Sequence, residues 1–174
     1  MAVVRVNYVK KGAGERSSAK ANIKYIENRK GKNGGKIQRP LFNASGQVTR
    51  LQAYEMINQA EEGSTFFRIK ISPDPAKENM EHDLLLREIT IQTMALEETL
   101  GKPVSWVAAI HDDHTPIAHV HVLAVTKARL LPAKEMIRIA TEASLEQRQE
   151  LDLRREQTKE QGKEQPEWER ERSK

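Results

Sequence analysis

Two histidines stand two positions apart within an otherwise apolar stretch, and this pattern restricts how the chain can fold. His119 and His121 interrupt a run of valine, leucine and alanine in residues 117–126, which predicts a buried β-strand. Alternate side chains of a strand lie on one face, so both imidazoles must project together. Two adjacent buried imidazoles cannot both carry a charge, and each needs a polar partner. One metal ion would serve both side chains.

A third histidine is brought close by the preceding strand. Residues 104–111 predict a strand that ends at His111, and the short polar link 112–116 suggests a hairpin to residues 117–126. A looser crossover between the two strands is the alternative. His111 can then complete a set of three imidazoles with His119 and His121. A His-x-His pair on a strand with a third histidine nearby is a common ligand geometry. The alternative is a cross-strand cluster of core histidines that are satisfied by hydrogen bonds.

Three neutral imidazoles would leave a divalent ion its full charge and open coordination positions. Such a site suits polarisation of an anionic substrate oxygen. By ligand type alone, Zn²⁺, Mn²⁺, Ni²⁺ and Co²⁺ can all bind, with one ion per chain. The other two histidines are expected on the surface, His114 in the link between the two strands and His82 on a helix.

Periodicity elsewhere predicts an α+β fold, with an antiparallel β-sheet and helices packed on one face. Strands are predicted at residues 2–10 and 65–72, and residues 29–40 form a basic loop with three glycines. Helices are predicted at residues 17–28, 48–61, 74–100 and 132–153. The organisation is a folded domain over residues 1–131, a C-terminal helix over residues 132–153, and a charged tail over residues 154–174 that is frayed helix or disorder.

The three tyrosines have different predicted surroundings. The helix over residues 17–28 has Ser17 as its expected N-cap. Its apolar stripe is formed by Ala19, Ile23 and Ile26, and Tyr25 lies well away from this stripe. Tyr25 is therefore available for chemistry, although an ordinary helix tyrosine packed at a sheet edge would show the same pattern. Tyr8 alternates with apolar strand residues and is expected in the core, and Tyr54 is expected to pack from the middle of a helix.

Positive charge is concentrated at one end of the chain. Residues 1–40 carry eleven lysines and arginines against two glutamates, whereas the whole chain has a net charge of +4. Such a surface is expected to meet phosphates, although a basic end that is only solvated would show the same charge pattern. We therefore expect nucleic-acid binding that depends on residues 1–40 and falls steeply with salt.

Composition also limits the class of protein. The chain has no cysteine, which removes disulfides and thiolate metal sites together. No stretch approaches the roughly 20 apolar residues that span a bilayer, and the first residues lack the pattern of a secretory signal. We expect a cytoplasmic protein with no membrane segment.

The histidine pattern and the segment around Tyr25 together resemble a known family. The spacing of His111, His119 and His121 is similar to the His-hydrophobe-His motif of the HUH endonuclease superfamily, specifically the mobilisation relaxases of the MobA/MobL type. Residues 17–30, a serine-, alanine- and lysine-rich run leading to Tyr25-Ile26, resemble the segment that carries the nucleophilic tyrosine of these relaxases. The resemblance covers residues 2–131. Every tyrosine precedes the histidines, which is the relaxase order, whereas rolling-circle initiators place theirs after the pair.

The resemblance implies an HUH-type sandwich over residues 1–131 and a site- and strand-specific nuclease for single-stranded DNA. Tyr25 would attack at an origin of transfer, next to a hairpin, and form a 5′-phosphotyrosyl link. His111, His119 and His121 would hold one divalent ion, Mg²⁺ or Mn²⁺ in function. Accessory mobilisation proteins are further expected partners of such an enzyme.

The chain also departs from the family pattern. The family often has an acidic residue that supports a histidine or the tyrosine. Here Arg68 and Lys70 occupy the strand where that residue would be expected, and Asp112 and Asp113 are the available substitutes. Two other functions remain open, a metal-dependent hydrolase of small molecules and an inactive relaxase relic that only binds DNA. DNA affinity would separate the first from a nuclease, and a nicking assay the second.

Overall fold

Six strands and five helices make up the described part of the chain. The structure, a computed structural model, describes residues 1–9, 11–31, 33–35, 37–73, 83–112 and 118–163. In chain order the elements are β1 (Val3–Tyr8), α1 (Glu15–Asn28), β2 (Leu41–Asn43), β3 (Gly46–Val48), α2 (Arg50–Asn58), β4 (Thr65–Ser72), α3 (Asp83–Met94), α4 (Glu97–Leu100), β5 (Val104–His111), β6 (His119–Thr126) and α5 (Ala133–Lys163).

The strands form one antiparallel sheet in the order β1-β4-β6-β5-β2-β3. The predicted α+β class, an antiparallel sheet with helices packed on it, is confirmed. The bounds predicted for the strands over residues 65–72 and 104–111 are those of β4 and β5. β5 and β6 are adjacent and antiparallel, as a hairpin requires, and His111 lies opposite His119. The link over residues 113–117, with Asp113 and His114, lies outside the described residues.

Helices cover both faces of the sheet, so the prediction of helices on one face is wrong. On one face, Phe67 of β4 belongs to a core with Leu86 of α3 and Met136 of α5. On the other, the neighbouring Phe66 belongs to a core with Ile23 of α1 and Ile57 of α2. A strand that is buried on both sides reads as a continuous apolar run, as β6 does after His121.

Two helical regions differ from their predicted extents. The helix predicted over residues 74–100 is two helices within the described part, because α3 ends at Met94 and α4 begins at Glu97. Residues 74–82, including His82, lie outside the described residues. At the other end, α5 continues to Lys163, ten residues beyond the predicted end at residue 153. Ion pairs one turn apart along this stretch, such as Arg154 with Glu150, favour the helix.

The first two helices begin at different residues from those predicted. α1 starts at Glu15, ahead of the expected cap Ser17, and its N-cap position is Gly14. α2 starts at Arg50, where Thr49 and Gln52 form a reciprocal capping box that accounts for the helix start. Between them, the short β2–β3 hairpin was not predicted, because three-residue strands are too short to show a period.

Substitutions of Phe66 and Phe67, which face opposite sides of the sheet, test whether both faces are covered. Phe66 and Phe67 are each 2% exposed, so we expect Phe66→Ala and Phe67→Ala each to lower the free energy of unfolding by about 3–5 kcal/mol. Tyr8, which lies opposite Phe67 in the register and is 66% exposed, supplies the control. Tyr8→Ala should cost less than about 1 kcal/mol. Urea unfolding followed by tryptophan fluorescence measures all three, and a Phe66→Ala cost equal to that of Tyr8→Ala would contradict the covered second face.

Candidate metal centre

The three histidines meet where β5 ends and β6 begins. His111 is the last residue of β5, His119 is the first of β6 and lies opposite it, and His121 follows on the same face. The ring centroids are 5.7 Å apart for His111 and His119, 4.6 Å for His111 and His121, and 5.0 Å for His119 and His121. One ring nitrogen of each lies within 4.8 Å of the other two. The predicted convergence is confirmed, and the group could hold a metal ion.

The chemistry of this donor set fits a divalent ion. His111 and His119 are buried, and Nε2 of His121 is a buried atom with no hydrogen-bond partner among the described residues. Burial, followed by the proximity of His111 and His119, lowers the pKa of His121 to about 3. The His121 imidazole is therefore neutral at neutral pH and has a lone pair to offer. Neutral imidazoles are suitable ligands for zinc, nickel and related ions.

A hydrogen bond to α1 fixes the orientation of one ligand. Nε2 of His111 lies 2.7 Å from the carbonyl oxygen of Ile26. A carbonyl can only accept, so Nε2 must carry the proton and Nδ1 the lone pair. Metal-binding histidines commonly donate their second ring nitrogen in this way, which sets the tautomer and the ring plane. The same bond ties the histidine cluster to the helix that carries Tyr25.

Tyr25 lies beside the histidines on the exposed side of α1. Ala19, Ile23 and Ile26 are fully buried, whereas Tyr25 is 46% exposed, which confirms that it lies off the apolar stripe. Its ring meets His121 edge-on, with ring centroids 6.3 Å apart and planes at 87°. The guanidinium carbon of Arg29 lies 5.5 Å from the centre of the Tyr25 ring. A tyrosine accessible to solvent is therefore placed next to the candidate metal ligands.

The other two tyrosines lie elsewhere. The prediction that Tyr8 belongs to the core is wrong, because Tyr8 ends the edge strand β1 beyond the helices that cover Val4. It shares the sheet face of Val4, which is the face opposite the histidines. Tyr54 of α2 packs against the core between α1 and the sheet, as predicted. Within the described ranges, Tyr25 is the tyrosine whose ring contacts a histidine.

The C-terminal turn of α1 is held by a buried carboxylate that the sequence analysis did not single out. Glu27 is 5% exposed and forms an ion pair with Arg50 of α2. Gln38 and Asn28 donate hydrogen bonds to the same carboxylate at 3.1 and 3.0 Å. The backbone N–H of Arg39 donates to the carbonyl of Glu27 at 2.8 Å. Glu27 lies four residues after Ile23, on the apolar face of α1, and this position was the signal that could have revealed it.

Positive charge lies on the strands next to the histidines. In the sheet register, Lys70 of β4 lies opposite His121, and Arg5 of β1 lies opposite Lys70. Burial, together with the nearby Arg5 and Arg29, lowers the pKa of Lys70. Of the acidic substitutes considered for the family carboxylate, Asp112 is exposed and Asp113 lies outside the described residues. The surroundings of the site therefore favour an anionic ligand.

Comparisons with known proteins add no relative. No family model matches the chain, and no match is found among the curated proteins or the solved structures. Within the described residues, no helix combines the length and the apolar character needed to cross a bilayer. The function is therefore inferred from the residues and geometry of the site.

Loss of two imidazoles should weaken metal binding. We expect the double variant His119→Ala/His121→Ala to bind Mn²⁺ or Co²⁺ at least about tenfold more weakly, because two of three neutral donors are gone. Isothermal titration calorimetry measures the affinity, and the Co²⁺ absorption spectrum reports the ligand field. Tyr25→Phe is the control, since it keeps all three imidazoles and should bind as the wild type does. Equal affinity in the double variant and the wild type would reject the site.

Proposed function

We propose that this protein is a metal-dependent nuclease and strand transferase for single-stranded DNA, of the mobilisation-relaxase type. Tyr25 is its nucleophile, and His111, His119 and His121 hold one divalent ion, Mg²⁺ or Mn²⁺ in function. Its substrate is an origin of transfer, with an adjacent hairpin, on a plasmid or another mobile element. Accessory mobilisation proteins are its further partners.

The observation that carries the proposal is the contact between Tyr25 and His121. An exposed tyrosine next to three convergent imidazoles supplies a nucleophile and a Lewis-acid site for the same phosphate. The bond from His111 to the Ile26 carbonyl supports the pairing, since it links the ligand set to the residue next to Tyr25. The lysine and arginine side chains around the site support an anionic substrate.

The proposed reaction is a transesterification in which atoms and charge balance. Oη of Tyr25 attacks the scissile phosphorus in line, forming an O–P bond, while the bond from phosphorus to the 3′ oxygen breaks. The phenol loses its proton during the attack, and the departing 3′ oxygen gains one. The products are a 5′-phosphotyrosyl link and a free 3′-hydroxyl. The reverse reaction reseals the strand, because the phosphodiester energy is kept in the covalent link.

The side chains around Tyr25 have separate tasks in this scheme. When bound, a divalent ion would supply positive charge for the non-bridging oxygens of the scissile phosphate. Arg29 lies over the Tyr25 ring, where the attraction between the cation and the ring face helps to hold the ring in place. The Glu27 ion pair with Arg50 fixes the last turn of α1, and so helps to orient Tyr25.

Replacement of the nucleophile should abolish the covalent product. We expect Tyr25→Phe to form no adduct with an origin-type oligonucleotide in the presence of Mg²⁺ or Mn²⁺, because phenylalanine has no oxygen to attack with. Its stability should stay within about 1 kcal/mol of the wild type, since the hydroxyl belongs to an exposed residue. A denaturing gel detects the adduct as a shift in protein mobility.

Tyr8→Phe is the matched control, because it removes one hydroxyl from an exposed tyrosine on the opposite sheet face. It should form the adduct at the wild-type level. An adduct that depends on Tyr8 and not on Tyr25 would move the nucleophile. Cleavage by both variants with free 5′ ends and no adduct would show that water attacks, and would favour a hydrolase. Binding without any cleavage by the wild type would favour an inactive DNA-binding relic.

A further inference from the structure

On the sheet face that carries the histidines, the described helices leave the part along β1 and β4 uncovered. α1 and α2 form their core with β4, β5 and β6 residues such as Phe66, Val107 and Leu123. Towards the β1 edge, the side chains on this face are exposed or half-buried. We name this surface the open strip, and it comprises Val3, Arg5, Asn7, Arg68, Lys70 and Ser72.

The open strip groups like charges in a way that costs stability. Arg5 lies directly opposite Lys70 across the β1–β4 ladder, and Arg68 is two positions from Lys70 on the same face. Neighbouring strands are about 4.8 Å apart, and residues two apart on a strand about 6.7 Å. Like charges directly opposite each other destabilise a sheet, and these distances lie within the Debye length of about 8–10 Å. Within the described ranges, none of the three cations forms an ion pair with a carboxylate.

The open strip leads directly into the metal centre. Arg5, Lys70 and His121 lie in one row across three adjacent strands, so the two cations extend from His121 towards the β1 edge. At the same end, Arg29 is close enough to contribute to the lowered pKa of both Lys70 and His121. A chain of phosphates crossing the site would therefore meet positive charge on leaving it.

We propose that the open strip binds the phosphate backbone of single-stranded DNA beside the phosphate that Tyr25 attacks, an inference that rests on the proposed function. A phosphate near Arg5, Arg68 and Lys70 removes the repulsion that the three cations otherwise suffer. The open strip contains no aromatic side chain on which a base could stack, so its contacts are to phosphates and its binding is independent of sequence. Recognition of the origin must then reside in other parts of the molecule.

A charge-matched pair of variants tests this surface. Arg68→Gln/Lys70→Gln removes one arginine and one lysine from the open strip. Arg129→Gln/Lys134→Gln removes the same two residue types from exposed positions, one just before α5 and one in its first turn, and α5 packs on the opposite face. The affinity of each full-length chain for fluorescein-labelled oligothymidylate is measured by fluorescence anisotropy over a range of KCl concentrations, with chelator present so that no cleavage occurs.

We expect the open-strip variant to bind oligothymidylate about tenfold or more weakly than the wild type at ~0.1 M salt. The slope of log affinity against log salt concentration should become shallower by about 1.4, which is about 0.7 for each of two lost phosphate contacts. The α5 variant should lose less than about threefold in affinity and unfold thermally at the wild-type midpoint. The open-strip variant should unfold at or above that midpoint, because it removes like charges that repel each other. Oligothymidylate and oligodeoxyadenylate should show similar affinities, because the contacts are to phosphates.

Three results would overturn the inference: equal affinities for the two double variants, no oligothymidylate binding by the wild type, or equally effective competition by polyglutamate, which would indicate an acidic protein partner. The nuclease proposal is judged separately, by the Tyr25 adduct. If the wild type forms the adduct but the two double variants bind oligothymidylate equally well, only the proposal for the open strip is rejected. Weakened binding of the open-strip variant supports the open strip as a phosphate surface even when the wild type forms no adduct.

Discussion

The register of the β5–β6 pair is the constraint on which the site depends. It sets His111 opposite His119 and leaves His121 on the same face, so three imidazoles share one small volume. A slip of one residue would turn both β6 histidines to the other face and bring Val120 and Val122 towards α1. The two-sided core opposes that slip, because every residue of β6 after His121 has a buried place on its own side. Packing on both faces therefore protects the chemistry.

α1 connects the proposed nucleophile to the proposed metal ligands. Its buried stripe anchors it on the sheet, and the Ile26 carbonyl accepts the hydrogen bond from His111 one residue after Tyr25. Its last turn is held from outside by Arg50 and Gln38, which both bind Glu27. A short helix with a fixed end can present one side chain in a defined direction while leaving it open to solvent.

The parts that the sequence predicted correctly are those in which a local period determines the outcome. The bounds of β4 and β5 follow from short apolar runs, and the convergence of His119 with His121 follows from the two-residue period of a strand. The covering of both faces, the exposure of Tyr8 and the burial of Glu27 depend on which elements meet in space. A local pattern does not report that information. Tyr8 alternates like a core residue, yet it is exposed at the end of the edge strand β1, whereas Val4 of the same strand is buried.

The length of α5 has a consequence for how the protein unfolds. A helix of 31 residues is about 47 Å long, and beyond Ser144 its side chains are exposed or half-buried as far as they are described. This part of the helix gains little from burial and relies on ion pairs between successive turns, such as Arg148 with Asp152. We expect it to behave as a separate, weakly cooperative unit that loses its helix on mild heating or in high salt while the sheet stays intact. Far-ultraviolet circular dichroism would then change before the fluorescence of the buried Trp106, and a single two-state transition would not describe the whole chain.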